Sequence, residues 1–569
     1  MNASYLSAGP CHHPRAPSHT GQLPGDIQPD GVERWLWRSP DYGLLCRMAR
    51  YGASLHYDGG DWPQGTYANR VPACHAEEIT SQIAAEVARG WLIPVTSGQN
   101  AVANAPLQVA VEPTKVRRIT DYSNVVAGKK VGMNGRVDMQ SLGDAPMKRS
   151  KDLARAVRSM WRAHGCAPLL LVRDVSKAFR RIGVCPHHAV SLRTRWAGQD
   201  YMDTRLPFGH AASAHLCCKL TTAVADAVAA QFPGHAEVLA YVDDFVLVAN
   251  PKVVAEVEAV FNQVMHDVGL PLSESKASEA GGWSTEATWI GFHHDAVACT
   301  HALPDAKKDE LQQLIRVARR QADSREPVKR GMWEKLVGKL SHVSSVFTVG
   351  RAFLTELYRV LNQPGAWLEL SGLAVDDLTW WCRALDVLPR KAAMRKAPAW
   401  DDKAMITDAS LSGQGLALFS SATAALASDI TCLEDAAYGR VFPRGQPGDM
   451  TWLEAVAALS AVRRWGHLFE GRTGYMVVDN QPLEWAWKKG RSKSPRVNRV
   501  LREIVLLLIQ RDAQIFPLRV QSQQNKIADA LSRVFEPGGS PLPSPLARLS
   551  PQRLPTVHRQ EGDPCPMWC

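Results

Sequence analysis

Residues 237–250 restrict what this chain can fold into more than any other stretch. Two apolar runs, 238–242 and 245–249, flank two adjacent acids, Asp243 and Asp244. Apolar runs separated by two residues predict a β-hairpin. Aspartate is a favoured turn residue, so an ordinary turn is one interpretation. Adjacent carboxylates between buried strands repel each other unless a cation neutralises them, so metal binding is the other interpretation.

A second strand pattern, residues 167–174, is apolar and ends in Asp174. An aspartate at the end of a strand can simply cap the helix that follows it. Together with the hairpin acids, Asp174 supplies the oxygen ligands of a two-metal phosphoryl-transfer site. In such a site the cations activate an attacking 3′-oxygen and stabilise the leaving pyrophosphate. Mg²⁺ is the expected ion, with Mn²⁺ as the alternative.

Six segments in and around these acids resemble motifs of reverse transcriptases. In chain order they are residues 115–123 (KVRRITDYS, fingers), 174–179 (DVSKAF, first palm motif), 206–209 (LPFG), 241–244 (YVDD), 269–276 (GLPLSESK) and 289–292 (WIGF). Each segment alone is a weak signal, but six in the family's order are a strong one. The resemblance covers roughly residues 100–360 and implies a polymerase with fingers, palm and thumb.

The resemblance also implies a role for each matched charged residue. Asp174, Asp243 and Asp244 are expected to hold the catalytic metals. The fingers residues Lys115 and Arg117 are expected to neutralise the nucleotide triphosphate. Lys276, in the fifth segment, is expected to protonate the leaving pyrophosphate.

Three uncharged residues complete the expected nucleotide site. The resemblance places Phe208 and Gly209 against the incoming nucleotide and Phe179 beneath its sugar. An aromatic ring there collides with a 2′-hydroxyl, so deoxynucleotides are selected by exclusion. The alternative for Phe179 is an ordinary core position.

A second set of acids lies in residues 404–535. Asp408 follows an apolar run, Glu454 lies near the start of an amphipathic helical pattern, and Asp479 ends another apolar run. Asp529 follows Asn525, a plausible N-cap, in the first turn of a further helix. Each acid alone is more simply a solvated or capping side chain. Together they predict a site in which two cations hydrolyse a phosphodiester.

The order strand-Asp, helix-Glu, strand-Asp, helix-Asp resembles the ribonuclease H fold. The ending ADALSR, residues 528–533, is similar to that of gypsy-like and DIRS-like retroelements. Many ribonuclease H domains carry a His and a Gly in the loop before this ending, where this chain has Arg519 and Ser522. This difference from the family implies that the domain releases its cleaved product slowly.

Two groups of basic residues are further candidates for contact with phosphates. They are the cluster Lys488, Lys489, Arg491, Lys493, Arg496 and Arg499, and the helical group Arg316, Arg319 and Arg320. Such contacts would give affinity that depends on salt but not on sequence. Solvated surface loops are the alternative interpretation.

Composition agrees with a nucleic-acid partner and an intracellular setting. The formal net charge of +10 suggests a polyanionic ligand. The 12 cysteines are mostly scattered, which argues against a disulfide scaffold. There is no signal-peptide core and no apolar run of transmembrane length, so a soluble protein of the cytoplasm or nucleus is expected.

These patterns predict an α+β right-hand polymerase followed by an α/β ribonuclease H-like domain. The expected division is a disordered leader (1–30), fingers and palm (31–300), a helical thumb or connector (301–395), the ribonuclease H-like domain (396–535) and a disordered tail (536–569). The implied activity is that of a retrotransposon RNA-directed DNA polymerase with a hybrid-cleaving endonuclease. Its partners would be an RNA template, a DNA primer, RNA–DNA hybrid and dNTPs, without a membrane. The alternatives are a catalytically silent nucleic-acid-binding remnant, and a nucleotide cyclase, which would not explain the second domain.

Overall fold

A computed structural model of the chain describes most of its residues. They are 25–57, 67–95, 104–112, 115–124, 132–273, 282–387, 392–393, 403–442, 450–511, 513–536 and short pieces between 538 and 568. The fold separates into two compact units, Met1–Cys299 and Thr300–Cys569. The finer five-part division predicted above stays a prediction.

The described part of the first unit contains short helices and small antiparallel sheets. Its helices are α1 (Pro29–Trp35), α2 (Tyr42–Tyr51), α3 (Ala76–Ala88), α4 (Met139–Leu142), α5 (Ser150–His164), α6 (Ala178–Arg181), α7 (Pro186–Ala189), α8 (Ala211–Ala229) and α9 (Val254–Val268). Its strands are β1 (Leu92–Val95), β2 (Leu107–Glu112), β3 (Lys115–Thr120), β4 (Leu169–Asp174), β5 (Arg193–Trp196), β6 (Gln199–Asp203), β7 (Ala236–Tyr241), β8 (Asp244–Ala249), β9 (Glu286–Trp289) and β10 (Phe292–Asp295).

The sheet β4-β8-β7 forms the centre of the first unit. All its strands are antiparallel, and Asp174 of β4 lies opposite Asp244 of β8. β8 is buried from Phe245 to Ala249, because helices α8 and α9 and the neighbouring strands cover it. A strand buried on both faces reads as a continuous apolar run, which is why the sequence pattern located it.

The β7–β8 turn lies one residue earlier than the sequence predicted. Tyr241 pairs with Asp244, so the two turn residues are Val242 and Asp243, and Asp244 is the first residue of β8. The prediction of an Asp243–Asp244 turn was therefore wrong. Val242 has φ 57°, which is unusual for a β-branched residue. The sequence pattern placed Val242 in strand β7 because its side chain is apolar.

The first helix begins inside the predicted leader. α1 starts at Pro29, so its first two residues, Pro29 and Asp30, belong to the expected leader (1–30). A Cβ on Gly31 would lie 1.9 Å from the carbonyl oxygen of Asp267, so α1 lies directly against the end of α9. The Gln28 N–H also donates to the Val268 carbonyl at 3.0 Å, so tertiary contacts hold the start of α1. Residues 1–24 lie outside the described chain.

The second unit begins with helices and continues as an α/β domain. Its helices are α10 (Asp305–Asp323), α11 (Arg330–Val343), α12 (Thr355–Leu361), α13 (Gly372–Val387), α14 (Ala422–Ala427), α15 (Met450–Trp465), α16 (Gln481–Lys489), α17 (Pro495–Gln510) and α18 (Lys526–Ser532). Its strands are β11 (Thr300–Ala302), β12 (Val328–Lys329), β13 (Trp367–Leu368), β14 (Ala392–Ala393), β15 (Ala404–Ala409), β16 (Gly413–Phe419), β17 (Leu433–Phe442), β18 (Thr473–Val478), β19 (Gln514–Arg519), β20 (Gln552–Arg553), β21 (Val557–His558) and β22 (Met567–Trp568).

The main sheet of this unit has the central order β19-β18-β15-β16-β17. β15, β16 and β17 are antiparallel neighbours, whereas β18 runs parallel to β15 and β19 parallel to β18. α15 is buried on all sides from Trp452 to Val462, between the sheet and α17. The prediction of an amphipathic helix was wrong here, because α17 covers the face that sequence alone leaves to solvent.

The initial helices of the second unit pack against its α/β part. Asp377 of α13 is fully buried and forms an ion pair with Arg502 of α17. The Arg502 guanidinium also lies 5.6 Å from the ring centroid of Phe353, which stacks on Trp380. A buried charge pair loses its hydration, so it persists only where the two elements meet in a fixed geometry.

The predicted disordered tail contains ordered strands. Gln552–Arg553 and Val557–His558 both pair in parallel with β17, and Met567–Trp568 pairs with Val557–His558. The expectation of disorder was wrong for these residues. β17 is the last strand of the central sheet order, and its free backbone edge can pair with a polar segment that has no core of its own.

Candidate active sites

The first acidic cluster comprises Asp174, Asp243 and Asp244. One carboxylate oxygen from each of the three lies within 4.8 Å of the others. Asp174 ends β4, Asp243 is in the hairpin turn and Asp244 begins β8, so backbone geometry alone brings the three together. The Val175 N–H donates to the Asp243 carbonyl at 3.0 Å, which ties the turn to the end of β4. Three carboxylates at this separation fit one or two hard divalent cations.

Phe179, Phe208 and Arg117 form a group of neighbouring side chains in the first unit. The centroids of the two phenyl rings are 5.2 Å apart, and the Arg117 guanidinium lies 5.9 Å from the Phe208 ring centroid. Both rings are half-buried, and Phe179 packs against the core of the first unit. The arrangement joins an aromatic surface to a cation, which suits a nucleoside phosphate.

Gly209 allows the LPFG segment to lie directly on β3. It has φ 100°, and a Cβ there would lie 2.0 Å from the carbonyl oxygen of Thr120. The Thr120 N–H donates to the Phe208 carbonyl at 3.2 Å. Asn134 fixes the segment further by donating from Nδ2 to the Gly209 carbonyl at 2.8 Å. Sequence analysis missed Asn134, because no local pattern indicates a contact between residues as far apart in the chain as Asn134 and Gly209.

Arg118, the neighbour of Arg117, belongs to a buried ion network instead. It pairs with Glu86 at 2.6 Å, and Arg180 pairs with both Glu86 at 2.7 Å and Asp203 at 2.6 Å. Successive side chains of a strand point to opposite faces, so Arg117 and Arg118 have different environments. The alternation of side chains along β3 could have indicated that Arg117 and Arg118 have different roles.

Two residues of the predicted polymerase site lie wholly or partly outside the described residues. Lys276 lies outside the described residues, within the gap 274–281. Lys115 begins β3, but its side chain is outside the described part. Their expected roles stay predictions.

The second acidic cluster comprises Asp408, Glu454 and Asp479. Here too a carboxylate oxygen from each residue lies within 4.8 Å of the others. Asp408 lies on β15, Asp479 directly follows the parallel strand β18, and Glu454 projects from α15, which covers this sheet. Asn480 then caps α16 by accepting from the Leu483 N–H at 2.9 Å, which fixes the chain just after Asp479.

The electrostatics of this cluster favour a bound cation. Burial, together with the Asp408 and Asp479 charges, raises the pKa of Glu454 to about 9. Burial also raises the pKa of Asp408 to about 7, although a hydrogen bond from Ser532 acts to lower it. Glu454 Oε2 is buried without a hydrogen-bond partner. An orphaned buried carboxylate oxygen is costly, and a divalent ion would satisfy it and hold the acids ionised.

Helix α18 reaches Asp408 through two side chains. Ser532 Oγ donates to Asp408 Oδ2 at 2.6 Å, and Asn525 Nδ2 lies 3.4 Å from Asp408 Oδ1. Asn525 occupies the expected N-cap position, but it makes no capping hydrogen bond and donates to the Thr407 carbonyl. Sequence analysis missed Ser532, although its place one turn after Asp529 in ADALSR could have indicated it.

Two glycines of β16 allow this close approach of α18. A Cβ on Gly413 would lie 2.2 Å from the Ser532 carbonyl oxygen. A Cβ on Gly415 would lie 2.1 Å from the Ala528 carbonyl oxygen. Any larger residue at either position would push the helix, and with it Ser532, away from Asp408.

Asp529 lies outside the group of three. Its carboxylate pairs with Arg533 one turn later, with Arg533 Nε 2.7 Å from Oδ1, and the Asp529 side chain is 41% exposed. It is close enough for its charge to raise the pKa of Asp408. Its expected role as a metal ligand stays a prediction.

The basic cluster after Asp479 has mixed surroundings. Lys488 pairs with Glu484 at 2.6 Å, and Lys489 Nζ lies 4.6 Å from the ring centroid of Trp485, which is 51% exposed. In α10, Arg316 donates to Gln312 at 3.3 Å. The expected phosphate contacts of both basic groups stay predictions.

Known proteins resemble this chain only at the level of structure. No family model and no curated protein sequence matches it. A foamy viral protease-reverse transcriptase solved with double-stranded DNA is similar at 15% identity and TM-score 0.45, over 90% of this chain and 84% of that one. The same kind of protein solved with RNA/DNA hybrid is similar at 16% identity and TM-score 0.45, over 90% of this chain and 65% of that one. These likenesses are loose, so the function proposed below rests on the two acidic clusters.

In the described residues, no helix has both the length and the apolar character needed to cross a membrane.

Proposed function

We propose that this chain is an RNA-directed DNA polymerase with a ribonuclease H-type hydrolase, encoded by a retroelement of the gypsy-like or DIRS-like kind. The observation that carries the proposal is the presence of two separate groups of three carboxylates, one in each unit. Each group is assembled from acids that sequence motifs had singled out independently. A single group would fit many metal proteins, but the pair fits synthesis and hydrolysis of phosphodiesters by one chain.

In the first unit, Asp174, Asp243 and Asp244 would hold Mg²⁺. The bound ions would neutralise the phosphates and lower the pKa of the primer 3′-hydroxyl. Arg117 would bind the triphosphate, next to the aromatic surface of Phe208. Lys115 and Lys276 are proposed for the triphosphate and for proton donation to pyrophosphate.

Phe179 would select the sugar of the incoming nucleotide. Its ring is supported from one side by Phe208, which limits how far it can yield to a 2′-hydroxyl. Gly209 would keep the nucleotide-facing segment against β3, since no other residue fits the space. Substrate choice would then come from excluded volume, and catalysis from the acids.

In the second unit, Asp408, Glu454 and Asp479 would hold metal for hydrolysis of the RNA strand in a hybrid. Ser532 and Asn525 would orient Asp408, and Asp529 would join the site as a fourth acid once released from Arg533. The basic cluster 488–499 would contact phosphates of the hybrid. Arg519 and Ser522 stand where related domains often have His and Gly, so product release would be slow.

The proposal also keeps the finer organisation suggested by sequence. Fingers and palm would occupy residues 31–300, the helical thumb or connector 301–395 and the hydrolase 396–535. Partners would be an RNA template, a DNA primer, the resulting hybrid and dNTPs, with Mn²⁺ as an alternative ion.

Primer extension by the purified chain is the direct test. A labelled DNA primer on an RNA template should lengthen with dNTPs and Mg²⁺, and the template RNA should then be cut. The catalytically silent remnant, the alternative from another class, would bind the hybrid without either reaction. Failure of both reactions at saturating Mg²⁺ and Mn²⁺ would therefore favour the remnant and overturn the proposal.

A further inference from the structure

Four cationic side chains surround the indole of Trp91 in the first unit. Trp91 itself is only 4% exposed. The Arg89 guanidinium lies 5.4 Å from the ring centroid, Lys177 Nζ 5.5 Å, and the Arg180 and Arg181 guanidinium groups 5.6 Å. Arg89 comes just before β1, whereas the other three follow Asp174 in the chain. Tertiary folding therefore brings Arg89 to three cations that are close together in the chain.

Two of the four cations have carboxylate partners. Arg180 pairs with Asp203 at 2.6 Å and with Glu86 at 2.7 Å. Arg181 pairs with Asp26 at 2.9 Å and also donates to the Ser176 carbonyl. These ion pairs make the two arginines part of the scaffold.

The other two cations, Arg89 and Lys177, have none among the described residues. Arg89 makes one weak hydrogen bond, to the Ala85 carbonyl at 3.4 Å. Lys177 is exposed, and partial burial followed by repulsion from Arg89 lowers its pKa. The charge of Glu86 acts in the opposite direction, but Glu86 already pairs with Arg118 and Arg180. The face of an indole attracts a cation but carries no net charge, so it cannot neutralise both. Two cations that share only part of one carboxylate's charge, and that lie on one aromatic ring, form an arrangement that an anion stabilises.

The backbone holds Lys177 in place next to the polymerase acids. Lys177 lies three residues after Asp174 and has φ 54°, an uncommon conformation for a residue other than glycine. The Ser176 N–H donates to the Pro271 carbonyl at 2.9 Å, and the Arg180 N–H donates to the Lys177 carbonyl at 2.8 Å. The Lys177 side chain therefore projects from a turn that these hydrogen bonds hold in place.

We propose that Arg89 and Lys177 form a phosphate-binding site over Trp91, beside the polymerase acids and separate from Arg117. The ligand chemistry is a phosphate group with at least two available oxygens, because two cations from different elements face it. It could belong to a nucleotide triphosphate or to the backbone of a template strand. Only the ligand's source depends on the proposed polymerase function; the anion site itself does not.

The test is equilibrium binding by the full chain without catalysis, in the presence of a metal chelator. The variants are Arg89→Ala, Lys177→Ala and their double variant, and the matched control is Lys252→Ala, an exposed lysine in the turn before α9. The probes are inorganic tripolyphosphate, followed by calorimetry, and a fluorescein-labelled RNA–DNA hybrid, followed by anisotropy over a range of salt. Lys177→Arg keeps the charge and should preserve binding of either probe.

A triphosphate site predicts that the double variant binds tripolyphosphate about tenfold to a hundredfold more weakly, with hybrid binding unchanged. A backbone site predicts that the slope of log affinity against log salt for the hybrid falls by about 2, one for each lost phosphate contact. Either outcome supports the site and identifies its ligand. Equal binding of both probes by the double variant and the Lys252→Ala control would overturn it. Primer extension by the unmodified chain, measured separately, shows whether polymerase activity itself is present.

Discussion

The rings of Phe179 and Phe208 lie with centroids 5.2 Å apart and planes inclined at 55°, so each limits the movement of the other. Phe179→Ala should remove the barrier beneath the sugar and admit ribonucleotides. We expect the ratio of kcat/KM for deoxynucleotides over ribonucleotides to fall by about 10- to 200-fold, the range in which apolar pockets discriminate by size. Phe208→Leu, which retains volume beside Phe179, should change the ratio less. An unchanged ratio in Phe179→Ala would assign the ring to the core.

The acids of the first unit should be essential for extension. Asp243→Asn removes a charge that the cations require, and we expect the primer-extension rate to fall by roughly three orders of magnitude or more, about 4 kcal/mol in the barrier. Folding should be unaffected, because the substitution relieves repulsion among three carboxylates. Asp144→Asn, at an exposed acid of the same unit, is the control. Extension at the unmodified rate by Asp243→Asn would refute the assignment of the site.

The two active sites should be separable by mutation. Asp408→Asn should abolish cutting of RNA in a hybrid while primer extension by the same protein continues, because the acids of the two sites lie in different units. A pre-steady-state burst in the unmodified protein would show that product release limits hydrolysis. Undiminished cleavage by Asp408→Asn would point to another nuclease centre or to a contaminant.

Ser532 should act on hydrolysis through Asp408. Ser532→Ala removes the 2.6 Å hydrogen bond, and we expect the Mg²⁺ concentration for half-maximal cleavage to rise by about tenfold, since a hydrogen bond to a charged group contributes about 1.5–3 kcal/mol. Ser532→Thr keeps the hydroxyl and should restore Mg²⁺ dependence in part. The complementary readout is metal-induced thermal stabilisation, which should weaken in parallel. Equal Mg²⁺ dependence in the alanine and unmodified proteins would show that the contact has no positioning role.

The metal-free second site should make the protein less stable as pH rises. The pKa of Glu454 is about 9 in the folded chain and near 4.5 in its ordinary state, so between these values the folded state keeps a proton that the unfolded state has lost. Stability therefore falls as pH rises through this window, and the pKa of Asp408 near 7 acts in the same direction. Mg²⁺ should raise Tm more at about pH 8.5 than at about pH 6, because the ion replaces the protons.

Glu454→Gln tests the origin of this pH dependence. The neutral amide should raise the metal-free Tm at about pH 8.5 and weaken the response to Mg²⁺. Glu470→Gln, at an exposed position, should leave both unchanged. Scanning calorimetry in chelator and in Mg²⁺ measures the two quantities. A metal-free Tm that is independent of pH would contradict the raised pKa of Glu454.

The ion pair between Asp377 and Arg502 should hold the helical part of the second unit to its α/β part. Arg502→Met leaves a fully buried carboxylate without its partner, and we expect a loss of about 3–5 kcal/mol in the free energy of unfolding. The double variant Asp377→Leu, Arg502→Met should regain most of it, because replacing both charges by apolar groups is often neutral. Denaturant unfolding measures both. Equal stability of the single and double variants would show that the Asp377 carboxylate left without Arg502 is not what destabilises the protein.

The sequence by itself determined the acids and the strands that carry them. Asp408 stands on an apolar run that became β15, which is buried along its whole length, and such a strand has a continuous apolar pattern that can be read locally. Asp174 ends an apolar run that became β4, an edge strand of its sheet that is buried only in part. The hairpin acids were identifiable because they interrupt two otherwise apolar runs, although only Asp243 lies in the turn. The turn itself was displaced by one residue, since the positive φ of Val242 is set by pairing across the sheet.

Only the tertiary structure decided which residues surround those acids. Ser532 reaches Asp408 because Gly413 and Gly415 let α18 approach, and Arg89 meets Lys177 over Trp91 because the chain returns to the same place. The same cause explains the ordered strands in the expected tail, which depend on the free edge of β17. Contacts between residues far apart in the chain follow from packing and register, and local periodicity contains no information about either.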